Sequence, residues 1–306
     1  MPESAAHPLM GQLFALAAPI CWSIAIILFR VSGQSVPPVA LNLFKNSLAL
    51  VLFTATLLVL GSTPAAGATS REVWLLIASG AIGIGLSDTF FFMCLNRVGA
   101  GLQAIVNTSY SPVIIGLSVI FLDERLTLLQ SLGALLIVTA VLAVGWVRDR
   151  TARAHVPHRV SGILFGLAGT TTQGISIVMV KPVLEENPVV WATWWRLLGG
   201  LAVGALIMLA SKDQRATLPA LRNRAVWPVM IAGAIMGTYV SLLFWIGGMK
   251  YAPASIAAAL NQTATLWTFL LAVIVLREPT TRRRLAGLLL GVAGVFLVTI
   301  QTLQGN

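Results

Sequence analysis

The sequence predicts an all-α integral membrane protein of ten transmembrane helices, arranged as two inverted five-helix repeats. Three observations lead there. The 306 residues are 57% hydrophobic and only 10% charged, with a mean hydropathy of +0.88. A soluble domain carries about 25% charged residues, so this chain has too much apolar surface for a water-facing fold. Apolar runs of about 20 residues, the length that crosses a bilayer as a helix, recur along the whole chain. Finally, the chain repeats itself. Gly101 to Val147 is an apolar run, a short polar knuckle with Glu, and a second apolar run, and it returns at Ser255 to Thr299. A shift of 154 carries Asn107 to Asn261, Glu124 to Glu278 and Gly133 to Gly287.

Read in order, the spans fall near residues 11–31, 38–60, 73–95, 101–122, 127–147, 160–181, 188–210, 227–249, 254–276 and 284–302. The connections are short, and Pro37-Pro38 ahead of the second span and Pro188 at the seventh mark two of them. Gly99 to Gly101 separates the third from the fourth, and Pro253 precedes the ninth. The long polar stretch Arg148 to Arg159 divides the chain into residues 1–150 and 151–306.

The halves correspond elsewhere too. A shift of 151 takes Gly11 to Gly162, Arg30 to Lys181, Pro37 to Pro188 and Lys45 to Arg196, and Gly80-Ala-Ile returns as Gly233-Ala-Ile. Five helices per copy is an odd number, which turns the second copy upside down across the membrane. Inverted repeats of this kind put a substrate site near the midplane, at their interface. Basic residues such as Arg97, Arg148, Arg150, Lys212 and Arg282 gather in the links after the odd-numbered spans. The other side has Arg71, Arg125, Lys181 and Lys250. Positive loops stay in the cytoplasm, so both termini are expected in the periplasm.

The net charge of +10 therefore belongs to cytoplasmic loops rather than to a nucleic-acid surface. Cys21 and Cys94 lie inside apolar runs and read as small core residues, not a disulfide framework. The N-terminus has no basic region ahead of its first apolar run, so a cleaved signal peptide is not expected.

The ordered, repeated motifs resemble the drug/metabolite transporter superfamily, in its ten-helix EamA-type branch. The resemblance rests on a proline followed by a buried basic residue (Pro37 and Lys45, Pro188 and Arg196) and on Pro112. It continues in the Glu knuckle that leads into a glycine-bearing helix (Glu124 to Gly133, Glu278 to Gly287). Two departures stand out: Lys45 where the family commonly has Arg, and Leu266 in place of the second-half proline. The resemblance implies an inner-membrane carrier of small organic solutes, often an exporter of amino acids or related metabolites. A lipid or lipid-linked-carrier flippase with the same fold is the alternative.

Charged groups inside a span are costly and mark function by default. Lys45 and Arg196 sit about 12 Å past their prolines, and Asp88 lies at a similar depth in the third span. The cations either snorkel or line a site that binds an anionic part of the solute. Asp88 is either a structural ion-pair partner of one of them, a substrate ligand, or a proton-coupling group. Asn107 and Asn261 either bond across helices or line the cavity. Trp22, Phe91, Trp195, Trp245 and Trp267 are candidate cavity walls able to hold a ring or a cation, and packing against lipid is the other reading of the deeper ones. Gln173, Gln262, Ser109, Tyr110 and Thr263 are weaker candidates. Trp74, Trp146, Trp191 and Trp227 read as interface anchors. Glu124 and Glu278 are expected to cap the first turn of the helix that follows each.

No catalytic role is assigned. His7, His155 and His158 fall outside the spans, and the sequence has no His-Glu-x-x-His, no Gly-x-Ser-x-Gly and no Walker A motif. A non-enzyme without metal or cofactor is expected, working on a small solute such as an amino acid or an aromatic or cationic metabolite, as a monomer or homodimer.

Overall fold

In the computed structural model, residues 8–63, 69–110, 112–114, 116–117, 128–145, 158–210, 222, 224–251, 260–261 and 263–304 are described. They form helices and no strands. Pro8–Ser32 is α1, Pro38–Val59 is α2, and Ser70–Gly80, Ala81–Leu86 and Ser87–Val98 run on as α3. Ala100–Asn107 is α4, Leu128–Gly145 is α5, Arg159–Glu186 is α6 and Val189–Ala210 is α7. Trp227–Ala234, Ile235–Val240 and Ser241–Tyr251 make α8, Thr263–Ile274 is α9 and Arg282–Gln304 is α10. Among the described residues six segments, in α1, α2, α3, α6, α7 and α8, are long and apolar enough to cross a membrane. Their outer faces carry bare aliphatic side chains such as Val51, Leu58, Leu164 and Leu206. Against lipid this arrangement costs nothing, whereas in water it would expose a large contiguous apolar patch.

The helices of the two halves interleave. In the first half α1 packs on α8 and α9, and in the second half α6 packs on α3 and α4. Further contacts pair α2 with α7 and α8, α3 with α7, α4 with α9 and α5 with α10. Hydroxyls mark the seams: Ser87 Oγ donates to the Gly169 carbonyl (2.9 Å) and Ser241 Oγ to that of Ala18 (3.0 Å). Ser23 and Thr268 join α1 to α9, with Thr268 donating to Ser23 and Ser23 to the Ala264 carbonyl. Hydrophobicity does not drive helices together inside a bilayer, so short polar side chains of this kind and close backbone contacts hold them.

The closest approach is between α3 and α7. A Cβ on Gly80 would lie 1.8 Å from the Arg196 carbonyl oxygen, and one on Gly199 would lie 2.0 Å from that of Ile77. Two bare glycines therefore let these backbones touch.

The middle turns of α3 and α8, Ala81–Leu86 and Ile235–Val240, are π-helical. These wide turns stand 154 residues apart, and the same shift pairs Gly83 with Gly237, Ser87 with Ser241 and Phe91 with Trp245. It pairs Gly80 with Ala234, so the match of Gly80 to Gly233 expected from the sequence is one residue out of register.

Glu278 corrects a second expectation. Its carboxylate accepts from the backbone N–H groups of Ala100 (2.8 Å) and Gly101 (3.1 Å), so it caps α4 rather than the helix that follows it. Gly99, at φ +83, brings the chain so close that a Cβ would sit 2.8 Å from Glu278 Oε1. The start of α10 is held by Thr281, whose hydroxyl accepts from Arg284 N–H. Glu124 lies outside the described residues.

Candidate functional site

The interleaved helices enclose a cavity of about 160 Å³, lined from α1, α2, α3 and α4 of the first half and α6, α7 and α8 of the second, with Asn261 just ahead of α9. Eight of the ten sequence-predicted residues line it: Lys45, Asp88, Arg196, Asn107, Asn261, Trp22, Phe91 and Trp245. Tyr110 and Gln173 line it too.

The ionic centre is built from α2 and α3. Lys45 Nζ lies 2.6 Å from Asp88 Oδ2, with the lysine side chain 2% and the aspartate 19% exposed. Lys45 also donates to Asn46 Oδ1 (2.9 Å), and Asn46 donates in turn to Asn42 Oδ1 (2.8 Å). Asn42 Nδ2 then reaches the carbonyls of Ile84 and Gly85, each at 3.1 Å, and Thr89 Oγ1 at 3.0 Å. A π turn displaces the usual helical carbonyl partners, and Asn42 satisfies two carbonyls within it. The ion pair, the amide relay and the wide turn are thus one network. Sequence reading passed over Asn42 and Asn46. Their signal was there: two amides four apart on an apolar helix, beside a buried lysine.

Arg196 enters from α7. It is 2% exposed, its Nη2 donates to Ser176 Oγ (3.1 Å), and its Nε has no partner. Among the described residues no carboxylate forms an ion pair with it. Gln103 Oε1 and Thr238 Oγ1, both from residues lining the cavity, are likewise buried without a partner. Aromatic rings line the cavity as well: those of Trp22 and Phe91 meet at 5.5 Å, and Trp245 joins them from α8.

Two predicted wall residues lie elsewhere. Trp267 is 42% exposed on the outside of α9, together with Leu266 and Leu270, while Thr265, Thr268 and Phe269 turn inward. Trp195 follows the helical turn away from Arg196 and stacks edge-on against Trp194 (5.0 Å) and Trp191 (6.4 Å). Trp191, expected at the membrane interface, is 4% exposed within that cluster, whereas Trp74 is 69% exposed on the outer face. Ser109 bonds to Thr170 and Thr263 donates to the Leu260 carbonyl just ahead of α9, so their hydroxyls are engaged in packing contacts. Gln262 and Trp146 lie outside the described residues.

Residues 9–146 and 160–300 match the model of the EamA-like transporter family. The chain belongs to that family. Among similar proteins, an uncharacterized transporter of Archaeoglobus fulgidus is 22% identical over 95% of this chain and 99% of its own length. The uncharacterized transporter YetK of Bacillus subtilis is 21% identical over 77% of this chain and 71% of its own. A solved structure titled "Crystal structure of protein" superposes with a TM-score of 0.66 at 19% identity, covering 95% of this chain and 96% of the other, which is a likeness of fold. The protein is thus a multi-pass membrane transporter of this family. Its kinship lies with transporters rather than enzymes.

Proposed function

We propose that the chain is a secondary-active carrier that moves small organic metabolites by alternating access around the central cavity. The observation that carries this reading is the cavity itself. It is lined from both halves of the chain, and it gathers a buried lysine, aspartate and arginine against an aromatic wall. Buried charge inside a membrane protein costs several kcal/mol, and groups facing a cavity between helices mark the path of a solute. The described helices and the internal sequence repeat support ten spans in two inverted five-helix units, residues 1–150 and 151–306. Rocking of one unit against the other would open the cavity to each side in turn.

The direction is export from the cytoplasm across the inner membrane, and the loop charges favour both termini in the periplasm. Alkaline phosphatase fused after Asn306 should be active, and fluorescence from a cytoplasm-only green reporter there would reverse the orientation.

Purified protein in liposomes tests the function. Solute counterflow supports the carrier, while scrambling of labelled lipid without counterflow makes the protein a flippase.

A further inference from the structure

We infer that the cavity selects solutes of one net negative charge, an apolar or aromatic body bearing a single carboxylate or comparable oxyanion seated on Arg196. The inference rests on the cavity being the solute site and adds the charge class of its occupant.

It follows from charge balance. Among the described residues three formal charges line the cavity, those of Lys45, Asp88 and Arg196. The first two cancel, since Lys45 Nζ and Asp88 Oδ2 are 2.6 Å apart and Lys45 is further held by Asn46. Arg196 is left over. It is buried, bonded to a neutral hydroxyl, and has an unpartnered Nε. A buried cation without an anion is strongly disfavoured, and an arriving carboxylate removes that penalty while taking two parallel N–H bonds from the guanidinium fork. A zwitterion brings an ammonium as well, which must compete with Lys45 for Asp88. A cation brings only a second positive charge. The walls Trp22, Phe91 and Trp245 suit an apolar body. One water takes about 10–15 Å³ by the same measure of volume, so the space of about 160 Å³ holds a solute of roughly 11–16 non-hydrogen atoms.

Three compounds with one ring and a short chain separate the charge classes: 3-phenylpropionate, phenylalanine and phenethylamine. Binding to purified wild-type protein is followed by tryptophan fluorescence and thermal shift. 3-Phenylpropionate should bind at least tenfold more tightly than phenylalanine, and phenethylamine should not bind. Arg196→Gln should abolish the preference, whereas Arg196→Lys should weaken binding and keep the charge order. If phenylalanine or phenethylamine binds as tightly as 3-phenylpropionate, the charge selection is overturned and the cavity stands as a solute site. If 3-phenylpropionate binds equally well to a folded Arg196→Gln variant, the assignment to Arg196 is overturned. If none of the three binds folded wild-type protein, the proposed occupant is overturned, and the cavity reading is decided separately by solute counterflow.

Discussion

Lys45 and Arg196 occupy matching places in the two halves of the sequence and line the same cavity, but the groups they bond to differ. Around Lys45 stand Asp88, Asn46 and Asn42. The positions that match these in the other half hold Leu242, Leu197 and Thr193, and Arg196 bonds to Ser176 instead. Thr193 turns its hydroxyl back to the Val189 carbonyl of its own helix, so nothing on α7 repeats the relay that ties α2 to the wide turn of α3. What both halves keep is different in kind: a π turn, a glycine within it, and a serine that bonds to the helix across the seam. The kept features are packing and the differing ones are charge. One half holds a closed, neutral pair fastened to its π turn, and the other offers an open cation. The duplicated scaffold thus surrounds a single asymmetric site.

The helix crossings sharpen this contrast most strongly. Where α3 meets α7 stands Gly80; the matching residue on α8 is Ala234, which already carries a Cβ and is buried. Gly80→Ala gives α3 the residue of its counterpart. Its Cβ would enter the backbone carbonyl of Arg196, which can move only if the helices part. The expected cost is about 3 kcal/mol or more, seen as loss of folded protein in thermal unfolding and size-exclusion chromatography. A variant with wild-type stability would mean that the two crossings are equally open.

Removing one partner of the ion pair comes next. Lys45→Met leaves Asp88 charged and unpaired and should cost about 3 kcal/mol. Adding Asp88→Leu, which imports the residue of the other half, should recover most of that stability, because an apolar replacement of a buried pair is often neutral or better. The double variant should nevertheless fail to transport. Restored stability with retained transport would reduce the pair to a structural element.

Asp88→Asn asks a finer question. Asparagine keeps size and hydrogen bonding but does not titrate. If Asp88 exchanges a proton during the cycle, the variant loses accumulation driven by a pH gradient and retains solute-for-solute exchange. Loss of both activities identifies a solute ligand instead, and wild-type levels of both leave Asp88 as a partner for Lys45 alone.

The sequence read unevenly, for physical reasons. Spans were placed well where a proline fixes the helix start: 38–60 became Pro38–Val59 and 188–210 became Val189–Ala210. The buried charges stood out because charge is scarce in apolar helices. Aromatic facing was not readable in the same way. A membrane helix is apolar toward lipid and toward protein, so nothing in the pattern told Trp245, which lines the cavity, from Trp267, which faces outward. The π turns were invisible because shifting a hydrogen bond by one residue leaves hydropathy unchanged. The reach of Glu278 to α4 was hidden for another reason. Capping was expected from the next helix along the chain, but the nearest free N–H groups in space belong to a helix 178 residues earlier.

The smallest expected effect tests whether the wide turn of α3 is held in place. Asn42→Thr installs the residue that Thr193 provides on α7. It removes the amide that satisfies the Ile84 and Gly85 carbonyls and breaks the link through Asn46 to Lys45. Thr89 still donates to the Gly85 carbonyl at 2.7 Å, so only Ile84 is left without that support. Losing one buried hydrogen bond of this kind costs about 1 kcal/mol, and the Lys45–Asp88 contact remains. Thermal unfolding should therefore shift modestly, while amide hydrogen exchange should rise in Ala81–Leu86 toward that of Ile235–Val240, which lacks such a clamp. Thr193→Asn should not produce the reverse change, because the charged and amide neighbours that orient Asn42 are leucines on that side. If exchange in the two turns is already equal in the wild type, Asn42 satisfies carbonyls without holding the turn, and the asymmetry of the molecule is confined to its charges.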